Sequence, residues 1–264
     1  MAKIENGEKI RAAFANEPPF AFKQGNDIVG EAPAIHRETL KGLGVKEENI
    51  EFKLVTNWDA LIPGLGKNYE MVCAGMAIIP DRCQAALFSE PEYITMDSLL
   101  VKKGNPKDLK DIVSFKDNPD VKLGVMKATS ELNDAEAIGV PEKQIEIRPD
   151  LTKLTQELKG GRIDAIALTT PTMVWAAEQD DELEALEPFI TQIPDGPERE
   201  FGSAGGAVFH EDDKEFRDAI NGELKKIKED KEKWLSLVGD WGFGESEYPP
   251  SDVTSKQLCG ENYQ

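Results

Sequence analysis

The chain has 264 residues, with 50 acidic against 31 basic side chains and a formal net charge of −19. That length allows one large domain or two modest ones, with a core that needs no staples, and so acidic a surface repels nucleic acid and anionic membrane as partners. No stretch approaches the roughly 18 apolar residues of a membrane span. Residues 1–7 lack the apolar run of a secretory leader, so they read as a cytoplasmic start or as a chain whose leader has been removed. Cys73, Cys83 and Cys259 fit no CxxC pattern, and His36 and His210 are the only histidines. Zinc sites and histidine-based triads therefore have little to be built from, and neither a metal nor a cofactor is expected.

In chain order, residues 9–15 read as a strand that runs into Asn-Glu-Pro-Pro-Phe at 16–20. The two prolines there forbid helix and strand alike. Residues 30–43 have helical spacing, with Ile35, Thr39, Leu40 and Leu43 on one face. Strands are predicted at 50–55, 71–74 and 98–103, with a broken helix from Trp58 to Leu65. A second round follows: strands at 121–125, 145–147 and 164–168, and helices at 130–138 and 151–158. Residues 201–209, apolar and glycine-rich, read as a strand crossing back; 214–238 hold one or two amphipathic helices, and the tail beyond Pro249 is irregular.

A weak internal repeat organises these elements. Residues 60–70 lead into the strand at 71–74 as residues 154–164 lead into the strand at 165–168, each with a helix, a polar turn and an acidic residue. Two similar α/β units suggest two lobes, each with a mostly parallel sheet; one doubly wound sheet is the alternative.

The residues suited to chemistry lie in loops after strands, where open α/β sheets place ligands. Glu17 and Phe20 flank the Pro-Pro turn. Trp58, in Asn-Trp-Asp at 57–59, is a ligand platform or a core anchor, and the residues alone favour the anchor. Gly75 lets a ligand approach the backbone, and Arg82 offers a planar fork for a carboxylate. Thr129 and Ser130 stand at a helix start, where free N–H groups favour anions, although the residues alone favour Ser130 as a simple cap. Thr170 lies in the run Thr-Thr-Pro-Thr at 169–172, with Trp175 in the helix beyond. No phosphate loop, dinucleotide fingerprint or nucleophile elbow appears. One arginine, one carboxylate, aromatic rings and hydroxyls form a set for holding a small zwitterion, not for transforming it.

The order of elements resembles the polar amino-acid class of solute-binding proteins of ABC importers. The motifs are Ile-Pro-Gly-Leu at 62–65, Ala-Gly-Met at 74–76 with Arg82 downstream, and Gly-Gly-Arg-Ile-Asp at 160–164. The ectoine/hydroxyectoine-binding branch is more similar still. It shares Ala-Asn-Glu-Pro-Pro-Phe at 15–20, Pro-Asp-Arg-Cys at 80–83, Lys-Lys-Gly-Asn-Pro at 102–106, Asp-Asn-Pro-Asp at 117–120 and Lys-Gln-Leu-Cys at 256–259. The resemblance implies that Glu17 pairs the ligand's cationic nitrogens, that Phe20 and Trp58 are aromatic walls, and that Arg82 takes the carboxylate. Ser130 stands where the family usually has threonine. The third wall falls on Ala77, and the family's glycine-rich run on Met126, Lys127 and Ala128, so either the box has lost a side or Phe201 or Trp175 supplies it.

What the resemblance implies for the whole chain is a bilobal periplasmic-binding fold of type II. Lobe one spans 1–101 and 206–264, lobe two 102–205, with hinge strands at 98–103 and 205–209 and ligand between the lobes. The function implied is capture of ectoine or 5-hydroxyectoine and delivery to ABC permease subunits, by a monomer in the periplasm or at the cell surface and not by an enzyme. A polar or cationic amino acid or a betaine is the alternative ligand. A cyclohexadienyl dehydratase-like lyase is a further alternative, which needs a general acid that only Glu17 offers. A sensor domain of the same fold is a rival usually tethered by a membrane helix. The exported location implied makes a Cys83–Cys259 disulfide the expectation, with Cys73, inside an apolar strand, a buried thiol.

Overall fold

The computed structural model describes residues 1–194, 196, 198–260 and 263. Its strands are β1 (Ile10–Phe14), β2 (Phe22–Gln24), β3 (Asp27–Val29), β4 (Ile50–Leu54), β5 (Met71–Ala77), β6 (Leu87–Phe88), β7 (Tyr93–Thr95), β8 (Asp97–Lys102), β9 (Leu123–Met126), β10 (Ile145–Arg148), β11 (Ala165–Thr169), β12 (Leu183–Ala185) and β13 (Ser203–Phe209). The chain divides into two compact units, residues 1–94 with 204–264 and residues 95–203. The boundaries expected after 101 and 205 fall inside β8 and β13. β8 pairs along its length with β11 and β12, which makes it a member of the second unit's sheet. β13 pairs with β5 and β6 and belongs to the first.

In the first unit the sheet order is β4-β1-β5-β13-β6, with β7 added beside β13. β1 lies parallel to both β4 and β5, whereas β13 runs antiparallel to β5 and β6. β5 is buried throughout, so its alternating side chains feed two cores. Met71 and Cys73 pack with Leu40, Phe216 and Ile220, which come from the helices Glu31–Gly42 and Lys214–Lys228. Val72, Ala74 and Met76 pack on the other face with Trp58, Leu61 and Tyr69.

The second unit repeats the pattern in the order β10-β9-β11-β8-β12. β9 lies parallel to β10 and β11, and β8 runs antiparallel to β11 and β12. Leu99, Val101, Ala165 and Ala167 face one core, and Leu100, Ile166 and Leu168 the other. Both sheets are thus mixed, parallel in one half and antiparallel in the other, against the expectation of mostly parallel sheets.

Three local expectations change. Residues 58–65, expected as a helix broken at Pro63 and Gly64, form two short 3-10 turns, Trp58–Ala60 and Ile62–Gly64. Pro63 has no N–H for a continuing ladder. The tail is not wholly irregular: Ser255–Cys259 is a helix with a capping box between Thr254 and Gln257. Residues 214–238 resolve into Lys214–Lys228 and Lys231–Val238, the second capped by Asp230 accepting from Lys233 N–H.

Candidate ligand-binding site

In the first unit, β1 runs out into the loop that carries Glu17. Glu17 is buried, and its N–H donates to Ala15 O and Ala21 O, both at 2.9 Å. Ala21 N–H donates back to Glu17 O at 3.1 Å, closing the loop around the cis Pro18–Pro19 peptide. Phe20 is 2% exposed. Its ring centroid lies 4.9 Å from that of Tyr93 and 5.3 Å from that of Phe243.

Gly75 has φ +59°, and a Cβ built there would stand 2.3 Å from Phe20 Cδ1. A side chain at 75 is therefore excluded twice, by backbone conformation and by the ring. This corrects the expectation that Gly75 opens the backbone to a ligand, because Phe20 fills that space. Tyr93 OH also donates to Gly75 O at 2.7 Å.

Trp58 and Arg82 come together. Trp58 opens its 3-10 turn and is 8% exposed, packed with Ala13, Ala15, Leu61 and Leu65. The structure thus gives it the core contacts of an anchor. Arg82 lies half-buried in the four-residue helix Pro80–Cys83. Its guanidinium carbon stands 6.0 Å from the Trp58 ring centroid, and Nη1 donates to Ala77 O at 2.8 Å. Positions 58, 77 and 82 therefore share one neighbourhood. Trp58 Nε1 is buried with no hydrogen-bond partner among the described residues, a state that costs about 1–3 kcal/mol unless an acceptor arrives. The Cys83–Cys259 disulfide is present, and Cys73 is a buried free thiol, as expected. Burial first, then the nearby Glu92 and Glu31 carboxylates, push the Cys73 thiol well above its usual range.

The hydroxyl residues of the second unit behave differently. Thr129, not Ser130, occupies the N-cap position of the helix Ser130–Ile138, and neither hydroxyl caps it. This corrects the reading of Ser130 as the cap. Thr129 Oγ1 donates instead to Met126 O at 3.1 Å. Ala128 just ahead has φ +62°, the left-handed conformation that favours the glycine expected in such a loop. Thr170 is the first residue of the helix Thr170–Glu178, and its hydroxyl lies 2.9 Å from Met96 O and 3.1 Å from Asp97 O. Phe201 is half-buried two residues ahead of β13, and Trp175 is half-buried within the same helix as Thr170.

Two polar clusters escaped the sequence reading. In the second unit Arg199 makes a two-pronged contact with buried Asp134, at 2.6 and 3.0 Å. Asp97 lies close by, accepts from Thr191 Oγ1 at 2.6 Å, and is pushed up to about 6 by burial, with Asp134 adding to the shift and Thr191 and Arg199 opposing it. In the first unit His36 Nε2 lies 2.7 Å from Glu92 Oε1, both fully buried. Burial and the Glu92 charge push Glu31 well above the usual carboxylate range. These partners stand 65 and 56 positions apart in the chain, and no local motif signals them. Among the described residues no three His, Cys, Asp or Glu side chains are grouped to hold a metal ion. No helix there is long and apolar enough to cross a membrane.

Comparison with known proteins agrees with this architecture. The family model described as bacterial extracellular solute-binding proteins, family 3, matches residues 10–243. A probable amino-acid ABC transporter periplasmic-binding protein of Sinorhizobium fredii is 32% identical over 253 residues, 95% of this chain and 82% of that protein. The arginine-binding extracellular protein ArtP of Bacillus subtilis is 28% identical, over 91% of this chain and 89% of its own. Among solved structures, EhuB in complex with hydroxyectoine superposes with a TM-score of 0.82 at 29% identity, covering 98% of this chain and 97% of that one.

Proposed function

The chain belongs to the bacterial extracellular solute-binding proteins, family 3, with their type II bilobal fold, and is the solute-binding component of an amino-acid-type ABC importer; we propose that its solute is a small zwitterion, with ectoine or 5-hydroxyectoine as first candidate. Family membership implies a small ligand and ABC permease subunits as partners, and family members are periplasmic. The observation that carries the finer reading is the Arg82 guanidinium set 6.0 Å from the Trp58 ring centroid. An arginine fork takes a carboxylate through two parallel hydrogen bonds. The indole face attracts a delocalised cation by about 0.5–2 kcal/mol. Trp58 Nε1, buried and unpaired among the described residues, is ready to donate to an oxygen of the ligand. Glu17, an acid buried at the first loop, supplies the countercharge. On the second unit, the resemblance to the family makes Ser130, Thr129, Thr170 and Phe201 the proposed contacts for such a solute. The likeness to the hydroxyectoine-bound EhuB favours this ligand class.

A second reading, a cationic amino acid, is favoured by the similarity to the arginine-binding ArtP. Arginine offers the same carboxylate to Arg82 and a planar cation to Trp58 and Glu17. We place the protein in the periplasm or at the cell surface and assign it no catalytic step. A thermal-shift screen over ectoine, 5-hydroxyectoine, glycine betaine, L-arginine and L-histidine tests the proposal. A ligand at 100 times its Kd adds about 2.7 kcal/mol of stability. A rise with ectoine or hydroxyectoine supports the first reading, and a rise with L-arginine alone the second. No rise with any zwitterion contradicts both, and turnover of a cyclohexadienyl substrate indicates the lyase.

A further inference from the structure

We propose that the Cys83–Cys259 crosslink is a positioning device for Arg82, so that ligand affinity depends on the oxidation state of this disulfide. The inference rests on the role given to Arg82 above. Arg82 immediately precedes Cys83 in a helix of only four residues. One turn of helix is too short to hold itself. Its backbone ties are local: Arg82 N–H and Cys83 N–H both donate to Ile79 O at 3.1 Å, Gln84 N–H to Pro80 O at 3.2 Å, and Ala85 N–H and Ala86 N–H to Arg82 O at 3.0 and 3.1 Å.

The other end of the crosslink is anchored independently. Cys259 closes the helix Ser255–Cys259, whose start carries a reciprocal capping box. Ser255 donates from its N–H at 3.0 Å and from its hydroxyl at 3.1 Å to the two carboxylate oxygens of Glu90. Glu90 N–H in turn donates to Asn221 Oδ1 at 2.8 Å, on the helix Lys214–Lys228. The disulfide therefore ties the short Arg82 helix to a strut fixed on the body of the first unit. Cys83 and Cys259 are both partly exposed and line one cavity of about 530 Å³, so a small dithiol reaches them. Reduction breaks the Sγ–Sγ bond and leaves two thiols, while the dithiol gives up two electrons and two protons and becomes a disulfide.

Once the tie is cut, the short helix that carries Arg82 loses its link to the strut, part of the order of Arg82 is restored at the ligand's expense, and affinity falls by up to the cost of immobilising one long side chain, about three- to tenfold. The test titrates 5-hydroxyectoine and L-arginine by calorimetry into the full chain, oxidised, reduced with dithiothreitol, and as Cys259→Ser. The same series is run in Arg82→Ala. The proposal expects the three- to tenfold loss with Arg82 present and no further loss without it. An equal loss in both backgrounds, or none in either, overturns it, since a merely stabilising crosslink acts without regard to Arg82. Hydrogen exchange of the ligand-free oxidised and reduced wild type gives a readout that needs neither ligand nor variant. Faster exchange confined to residues 79–86 and the tail is expected, and unchanged or uniformly faster exchange overturns the proposal. If neither zwitterion binds, the functional reading fails while the exchange result still decides the positioning role.

Discussion

The two units share a scaffold and differ in what their loops do with polar groups. In each, a central strand lies parallel to two neighbours, and an antiparallel strand follows the third, as β4-β1-β5-β13 and β10-β9-β11-β8. In the second unit the threonines predicted as ligand contacts are engaged at home: Thr129 with Met126 O, and Thr170 with the carbonyls of Met96 and Asp97. The first unit leaves the Trp58 indole N–H buried and unpaired among the described residues, beside an arginine. Hydrogen bonds already made within a loop add little when a ligand arrives, because one partner is merely exchanged for another, whereas an unmet buried donor gains a bond it lacked. On the proposed function, the stronger recognition elements therefore lie in the first unit.

Removing Phe20 tests that unit's packing most severely. Its ring is a core member against Tyr93 and Phe243, so Phe20→Ala should cost about 3–5 kcal/mol of stability, measured by urea unfolding without ligand. A near-native midpoint would return Phe20 to the role of an exposed wall.

Asp97 gives the matching test in the second unit. Its folded pKa is raised from 3.8 to about 6, so the folded state holds the proton more tightly than the unfolded chain. Its stabilising contribution is complete below about pH 3.8 and is lost as pH rises through about 6. Asp97→Asn should thus be more stable than wild type at pH 7.5, by up to about 3 kcal/mol. The gap should close towards pH 4.5, as followed by denaturant titrations at both pH values. A gap independent of pH would remove Asp97 as its source.

Smaller effects are expected at two backbone positions. Gly75→Ala sets a methyl group against the Phe20 ring and should cost about 1–3 kcal/mol. In the second unit, Ala128→Gly should stabilise by about 1 kcal/mol, since alanine at φ +62° is strained. Melting temperatures of the two variants should move in opposite directions, and a fall in both would show that Ala128 is held by contacts worth more than its strain.

Periodic segments were legible in the sequence because one face of each is buried. The helix predicted at 130–138 matches Ser130–Ile138, and the strand predicted at 50–55 matches Ile50–Leu54 to one residue. Non-periodic turns were less so. The segment from Trp58 reads as a helix broken at Pro63 and Gly64, and it folds as two 3-10 turns that meet at Leu61. The tail helix was overlooked although Thr254 and Gln257 have the spacing of a capping box. At the site, Arg82 and Trp58 were singled out separately, and only folding brings them together. Gly75 was read for a ligand because a glycine signals close approach without saying of what. The Arg199–Asp134 and His36–Glu92 pairs join distant segments, and nothing short of the fold makes them visible.

The central claim is that Arg82 holds the carboxylate of a zwitterionic solute on the first unit. Calorimetric titration of 5-hydroxyectoine and L-arginine into wild type and Arg82→Ala, with melting of both ligand-free proteins as control, tests it directly. The account predicts a loss of at least about a hundredfold in affinity, as expected when an ion loses its buried partner, with little change in ligand-free melting. Near-native affinity in Arg82→Ala would contradict it.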